Sequence, residues 1–437
     1  MKTESIGNYL HRQIPKKIAI TAIAVAFAAF AAVALMQARR PREPSVEDLQ
    51  AQWIQLADRV HELKVRGMHG EALRMAKRSL RLAETTYGPL HPATGESLNE
   101  LAQLLVEASQ FDHVDALYRR AIGIQSRVSG PDSPEVAALT NNLAQAHDKR
   151  GQFTEAESLY KKAVAIYEQT VGADDPATAR VVNNLACLED ARCNYAIAEP
   201  LHRRALAVRD QVLGPAHLDT AESLGNLASN ARLRGDLETA ERLHRRTLAI
   251  REHAAGPSHP HTASSLAGLA ATLRDRGRPD DADPLATAAL AIRQQSFGER
   301  HAATASACET LALIRCDVGE PETARRLLER AAEIRLKDHG VRHPRTAETL
   351  EHLAALEPPT GQPPETIREL QNKSVKLLEQ AVAIRAESLG PDHASTLAAM
   401  EKLARALDTV DRKEEAVVVR KRLEEAAKKA AAKNQNE

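Results

Sequence analysis

Glycine returns at one fixed interval in this chain: Gly88, Gly130, Gly172, Gly214, Gly256, Gly298 and Gly340 each stand 42 residues after the last. A second series runs 21 residues out of phase, through Gly67, Ser109, Gly151, Cys193, Gly235, Gly277, Gly319 and Gly361. The chain is therefore a tandem array whose unit is two elements of similar length, each closed by a small residue. Self-similarity at about 20–50 residues is the mark of stacked repeats, in which each unit buries its apolar face only against its neighbours.

Each half-unit reads as a helix. SPEVAALTNNLAQAHDKR, from Ser133, opens on a capping serine followed by a proline already set for the first helical turn. It stops at Gly151, a residue that enters the left-handed conformation without penalty. In the next stretch Phe153, Ala156, Leu159, Tyr160, Ala163, Val164, Ile166 and Tyr167 fall at helical spacing, with charge on the other face. The array contains no alternating β-branched run, so the predicted fold is all-α. Two ladders give nine helix pairs. First helices begin near Leu49, His91, Ser133, Asp175, His217, His259, His301, His343 and His393, and second helices near His69, Phe111, Phe153, Tyr195, Leu237, Pro279, Pro321, Pro363 and Lys413. Gly340 to Gly390 is 50 residues rather than 42, and the EPPTGQPPE segment from Glu357 interrupts the pattern there. A first helix cut short before Pro358 and a lengthened second helix accommodate the extra residues.

The unit also has a recognisable wording. HPATGESLNELA from His91, SPEVAALTNNLA from Ser133, DPATARVVNNLA from Asp175, HLDTAESLGNLA from His217 and HPHTASSLAGLA from His259 are variants of one half. EAESLYKKAVAIYEQTVG from Glu155, IAEPLHRRALAVRDQVLG from Ile197 and TAERLHRRTLAIREHAAG from Thr239 are variants of the other. Together they resemble the 42-residue tetratricopeptide repeat of the kinesin light chain family, over roughly residues 49–425. The resemblance implies a right-handed superhelical α-solenoid whose first helices line a concave groove for extended peptides. Kinesin light chains also carry a coiled-coil heptad segment, which this chain lacks, so motor transport is not implied.

Lysine plus arginine equal aspartate plus glutamate at 59 each, so no basic footprint for nucleic acid exists. Aromatic residues are only 3% of the chain, which leaves Leu, Ala, Ile and Val to build the core. The histidines at 91, 217, 259, 301, 343 and 393 form a row at helix starts. Equivalent positions in stacked helices are about 8–10 Å apart, whereas ligands of one zinc lie ~2 Å from it. Neighbouring rungs cannot share an ion, and helix-start packing explains the row. Cys308 stands where Leu224, Leu266 and Leu350 stand in other repeats, so it reads as a buried apolar residue, and Cys193 takes a turn position otherwise held by glycine. No GxxxxGK[ST], HExxH, GxSxG or CxxC occurs, which leaves no catalytic constellation, metal site, cofactor or small-molecule substrate to expect.

Binding residues are sought on the first helices. Leu98, Thr140, Val182, Leu224 and Leu266 form one core row, and Leu101, Leu143, Leu185, Leu227 and Leu269 another. Two positions after the first row, about 200° round the helix, stand Glu100, Asn142, Asn184, Asn226, Gly268 and Thr310. Asparagine is a poor helix-interior residue, and its amide both donates and accepts, which suits pairing with the backbone of a bound peptide. The resemblance implies that role for the NNLA asparagines. Amides bonded to one another or to the neighbouring helix are the alternative. The preceding Asn99, Asn141 and Asn183 are expected to face the next repeat. The candidate groove set is thus Asn142, Asn184 and Asn226, with Asn141, Asn183 and Asn99 beside them.

Residues 18–36, IAITAIAVAFAAFAAVALM, carry no charge. As a helix they span about 28 Å, close to a bilayer core. Lys16 and Lys17 precede the run, and Arg39, Arg40 and Arg42 follow. A single-pass signal anchor and a cleaved signal peptide both fit; the 17-residue polar lead and the immediate basic flank favour the anchor. The expected organisation is a polar segment 1–17, a transmembrane helix 18–36, a linker 37–48, the repeat array 49–425 and a fraying tail 426–437. Charge balance favours a repeat domain outside the cytoplasm. The chain reads as a non-enzymatic, membrane-anchored interaction scaffold that holds an extended segment of a protein partner. The alternative is an envelope assembly factor working by self-association or through a basic stripe, Arg119, Arg120, Lys161, Lys162, Arg203, Arg204, Arg245 and Arg246, toward an acidic partner or anionic lipid.

Overall fold

In the computed structural model, residues 45–65, 68–108, 110–338, 344–358 and 361–434 are described. They form eighteen α-helices and no strand. The pairs, in chain order, are α1 (Val46–Val65) with α2 (His69–Tyr87), α3 (Pro92–Glu107) with α4 (Val114–Ser129), and α5 (Pro134–Lys149) with α6 (Phe153–Thr170). Then come α7 (Pro176–Ala191) with α8 (Tyr195–Leu213), α9 (Leu218–Leu233) with α10 (Leu237–Ala255), and α11 (Pro260–Asp275) with α12 (Pro279–Phe297). The last three pairs are α13 (Ala302–Asp317) with α14 (Pro321–Asp338), α15 (Pro344–Ala354) with α16 (Pro364–Ser388), and α17 (Ala394–Thr409) with α18 (Lys413–Asn434). The chain divides into two units, Met1–Gln55 and Leu56–Glu437. Of the first, only residues 45–55 are described; there Ser45 and Asp48 cap the start of α1 reciprocally, Ser45 N–H to Asp48 Oδ2 at 2.9 Å and Asp48 N–H to Ser45 Oγ at 3.1 Å. The expected anchor at 18–36, and with it Gly67, Ser109, Gly340 and His343, lies outside the described residues. Among the described residues no helix is long and apolar enough to cross a membrane.

One local device starts the first helices whose cap is described. Ser133 and Asp175 accept from the backbone N–H groups of Val136 and Ala177, as capping side chains do. At five other starts a histidine takes the same post: Nδ1 of His91, His217, His259, His301 and His393 accepts from the N–H two residues on, at 3.1–3.2 Å. The described members of the histidine row are therefore helix caps. Three residues past the cap, Thr94, Thr178, Thr220, Thr262, Thr304 and Thr396 each donate from Oγ1 to the carbonyl of the preceding loop glycine, at 2.7–2.9 Å. That bond ties the end of one pair to the start of the next. The loop glycines sit at φ between 87° and 101°, a region costly for any other residue. From Gly151 on, the second ladder also turns left-handed, and where glycine is missing Cys193 (φ 61°) and Asp411 (φ 64°) adopt that conformation themselves.

The core repeats with the same stride. Ala102, Ala144, Ala186, Ala228, Ala270 and Ala312 are wholly buried on the first helices, and Ala121, Ala163, Ala205, Ala289, Ala331 and Ala381 on the second. Small residues at these crossings let helix backbones approach, while Leu101, Leu143, Leu227, Leu269 and Leu311 fill the space beside them. Cys308 is buried among the apolar residues of its pair. The irregular eighth pair has the expected shape: α15 has 11 residues and α16 has 25. The first helix opens at Val46, before the expected boundary at 49, and α18 continues to Asn434, past the expected end of the array at 425.

Within Leu56–Glu437 the ninth pair touches the fourth. His393 Nε2 lies 2.9 Å from the carbonyl oxygen of Arg192, and Cys193 Sγ lies 3.2 Å from Ser395 Oγ. Leu389 packs against the cluster of Val136, Phe153, Tyr160 and Tyr167.

Candidate functional site

The asparagines form a ladder between successive first helices. Asn142 Nδ2 donates to Asn99 Oδ1 at 3.1 Å, Asn184 Nδ2 to Asn141 Oδ1 at 3.0 Å, and Asn226 Nδ2 to Asn183 Oδ1 at 3.1 Å. Asn141 also donates to Asn142 Oδ1 at 3.3 Å. Asn141 and Asn183 are 2% and 1% exposed, so these two lie beyond a ligand's direct reach. Asn99, Asn142, Asn184 and Asn226 are half-buried. Each of Asn142, Asn184 and Asn226 uses one amide hydrogen on its neighbour, and an amide carries two.

The ladder continues past the asparagines with different chemistry. The position of Asn99, Asn141 and Asn183 becomes Gly225 and Ala267, then Glu309 and Glu351. The position of Asn142, Asn184 and Asn226 becomes Gly268 and Thr310, then His352 and Lys402. The contact survives the change: His352 Nδ1 stands 3.7 Å from Glu309 Oε1, and Lys402 Nζ 2.6 Å from Glu351 Oε2. Thr349 Oγ1 donates to Glu309 at 2.7 Å, and Arg335 pairs with its other oxygen. Burial works against the Glu309 charge, but His352, Arg335 and Thr349 outweigh it and hold the carboxyl below its ordinary value.

The gap between the two chemistries has a physical cause. His202 bridges Asn183 Oδ1 at 3.3 Å and Asp190 Oδ2 at 2.9 Å. One repeat later His244 finds Gly225 and Arg232 at those two positions, and neither of its ring nitrogens has a hydrogen-bond partner. Burial, then the charges of Arg232 and Arg251, push its pKa down to about 3, so the ring is neutral. Its Cε1 would lie 2.5 Å from a Cβ placed on Gly268. The ring occupies the room that a side chain in the next rung needs.

A second row is plain in the sequence, although periodicity alone assigns it no task. Arg209, Arg251, Arg293 and Arg335 recur at 42 residues on the second helices, and Arg209, Arg251 and Arg335 are buried. Arg209 Nη1 reaches the Asp219 carbonyl at 3.0 Å and Ser223 Oγ at 3.0 Å; Arg251 Nη1 reaches the His261 carbonyl at 3.1 Å and Ser265 Oγ at 3.0 Å. These two guanidinium groups thus clamp the first turns of the following pair, whereas Arg335 pairs with Glu309 of its own. On α5, burial pushes the Asp148 carboxyl up to about 6 although Arg345 on α15 and Lys149 pull the other way. Arg345 also bears on Cys187 of α7. The C-terminal turns of α5 and α7 are therefore approached by the eighth pair.

The basic stripe is largely neutralised. Arg119 pairs with Asp115, Lys161 with Glu157, Arg203 with Glu199 and Arg245 with Glu241, each four residues back. Arg120, Arg204 and Arg246 pair with Glu84, Glu168 and Asp210 of the preceding second helix. Seven of the eight stripe cations thus have carboxylate partners, which weakens the attraction of this surface for an acidic partner or lipid. Among the described residues no cluster of His, Cys, Asp and Glu is arranged to hold a metal.

Two family profiles described as tetratricopeptide repeat match the sequence, one at residues 63–127, 115–169, 135–211, 178–253, 219–295 and 261–337, the other at 368–395. No curated protein sequence matches. Among solved structures, the nearly identical TPR-like repeats of a putative kinesin light chain from Podosopora anserina are 26% identical over 51% of this chain and 98% of theirs, with a TM-score of 0.40. BtubC (BKLC) from P. vanneervenii is 22% identical over 57% of this chain and 92% of its own, with a TM-score of 0.42. A Rap protein complexed with competence and sporulation factor is 13% identical, covers 87% of this chain and 99% of its own, and reaches a TM-score of 0.54, which is a likeness of fold. With the profile spanning residues 63–337 in overlapping copies and the helix pairs recurring at the same stride, this chain belongs to the tetratricopeptide repeat family.

Proposed function

We propose that the array is a non-enzymatic scaffold that holds an extended segment of a partner protein along the first helices α5, α7 and α9. The observation that carries this reading is the amide ladder. Asn142, Asn184 and Asn226 are fixed by bonds to the preceding helix, stay half-buried and keep amide capacity for a further bond. An amide already oriented loses little freedom on meeting a peptide backbone, so it contributes more to affinity than a mobile one. Asn99, Asn141 and Asn183 act in this reading as positioning groups. A fold neighbour solved in complex with competence and sporulation factor supports the use of such a fold for holding a ligand.

Peptides selected by display against the full chain test the proposal. Replacing Asn142, Asn184 and Asn226 together by alanine should weaken the selected peptides by about tenfold or more, at roughly 1 kcal/mol for each lost bond. Unchanged affinity would remove the assignment.

The uncharged run at 18–36 supports a membrane tether for the scaffold, with the repeats outside the cytoplasm. Full-length protein should then resist alkaline extraction from membranes, and the repeats should be cut by protease only where that side is accessible. Recovery in the soluble fraction would dismiss the tether and leave the groove untouched.

A further inference from the structure

A crevice opens among α8, α9 and α10, and none of the ladder asparagines lines it. One lobe holds about 300 Å³ and a second, sharing its walls, about 280 Å³. Leu206, Leu224, Leu227 and Leu243 form its apolar lining. The sequence explains why space is left here. The position of Ala231 holds Leu63, Leu105, His147, Glu189, Leu273 and Arg315 in the other regular pairs, so this pair alone among them has only a methyl group there. A truncated side chain at a packed position leaves a cavity that its surroundings only partly close.

The rim mixes charges, with arginines in excess of carboxylates: Glu199, Asp236 and Asp210 also line it. Arg203, Arg234, Arg242 and Arg246 line it. Arg203 and Arg234 share the single carboxylate of Glu199, and Arg246 reaches Asp210 only at 3.7 Å. The Asp236 carboxylate is engaged as the cap of α10, accepting from Thr239 N–H at 3.2 Å. Arg242 is exposed and makes none of these ion pairs; it acts on the Asp236 carboxylate only at longer range, which leaves its guanidinium open to a further carboxylate. An apolar lining under a rim with a spare guanidinium is complementary to one kind of group: a branched apolar side chain with a carboxylate next to it.

We propose that this crevice is a second docking site, which takes a leucine-sized side chain flanked by a carboxylate from a segment of a partner protein. The site stands whether or not the amide ladder binds a peptide. It is specific to this pair, because alanine at 231 and arginine at 242 coincide only here. The position of Arg242 holds Ala116, Ser158, Pro200 and Pro284 in four of the other regular pairs. It holds Arg74 and Arg326 in the remaining two, where Leu63 and Arg315 fill the position of Ala231.

N-acetyl-leucine is the smallest probe with both features. Titrated into the full chain carrying methyl-labelled leucines, it should shift Leu206, Leu224, Leu227 and Leu243 and saturate in the range of about 1–10 mM, as expected for a fragment of its size. Ala231→Leu should abolish the shifts while the protein stays folded, since Leu105 and Leu273 already occupy that position in other pairs. Arg242→Glu, or the neutral N-acetyl-leucinamide in place of the acid, should weaken binding about fivefold or more. Absence of shifts, or equal binding by Ala231→Leu, would overturn the proposal. Shifts with octanoate but not with N-acetyl-leucine would assign the crevice to an acyl chain, and shifts that follow protein concentration alone would assign it to a second copy; either result also overturns it.

Discussion

The first and second halves of the array use one position on the first helix for the same task and solve it with opposite chemistry. Between α3 and α9 the rungs are neutral amides, Asn99 to Asn142, Asn141 to Asn184 and Asn183 to Asn226. Between α13 and α17 they rest on buried carboxylates held in ion pairs, Glu309 with Arg335 and Glu351 with Lys402 at 2.6 Å and Arg385 at 2.5 Å, with the His352 ring 3.7 Å from Glu309. An amide rung leaves donors and acceptors over for a visitor. An ionic rung is committed to itself, because a buried carboxylate tolerates its desolvation only while its partners stay in place. The comparison assigns gripping to the first half and clamping to the second.

The largest effect should come from an ionic rung. Glu309→Ala leaves Arg335, 2% exposed, without its carboxylate. The expected loss is about 3–5 kcal/mol, read from urea unfolding, and Glu309→Leu with Arg335→Met should recover much of it. A loss no larger than that of an amide rung would erase the distinction between the halves.

Asn183→Ala should cost less, about 1–3 kcal/mol, because it strips an acceptor from Asn226 and from His202 without stranding a charge. The empty rung sharpens the contrast further. Gly268→Ala should cost about 1–3 kcal/mol by crowding the His244 ring, and little once His244→Ala has cleared the space. Additive losses in that pair would mean that His244 does not explain the gap.

The smallest effect concerns pH. Asp148 is raised to about 6 in the folded chain, against about 3.9 when unfolded. The folded state therefore holds this proton more tightly, and Asp148 disfavours folding increasingly as pH rises from about 4 to 6. Asp148→Asn should raise stability by roughly 1 kcal/mol at pH 7.5 and bring no gain at pH 4. His244 works in the other direction: with its folded pKa at about 3, below the unfolded value, its contribution is complete above about pH 6.5 and declines as pH falls toward 3. Thermal unfolding of His244→Ala across that range should show a flatter acid limb.

Helix starts, helix ends and the irregular eighth pair were legible because their causes are local. Ser133, Asp175 and the histidines cap within two or three residues, and the glycines turn where they stand. The pairing within the basic stripe was overlooked although Asp115, Glu157, Glu199 and Glu241 stand four residues before their cations. The partners of the asparagines were not legible, because each bond spans 43 residues and depends on how one pair rotates on the next. The arginine row from Arg209 to Arg335 repeats openly, but helical periodicity alone does not reveal that Arg209, Arg251 and Arg293 reach over to the following pair whereas Arg335 turns back onto its own. The contact of His393 with Arg192, 201 residues apart, depends on rotation accumulated over several repeats.

Hydrogen exchange of the full chain, with and without a peptide selected by display, tests the division of labour most directly. Repeat arrays open pair by pair, so protection reports locally. The account predicts that the peptide slows exchange in α5, α7 and α9 and leaves α13, α15 and α17 unchanged. Protection confined to the ionic half, or spread evenly along the array, would contradict it.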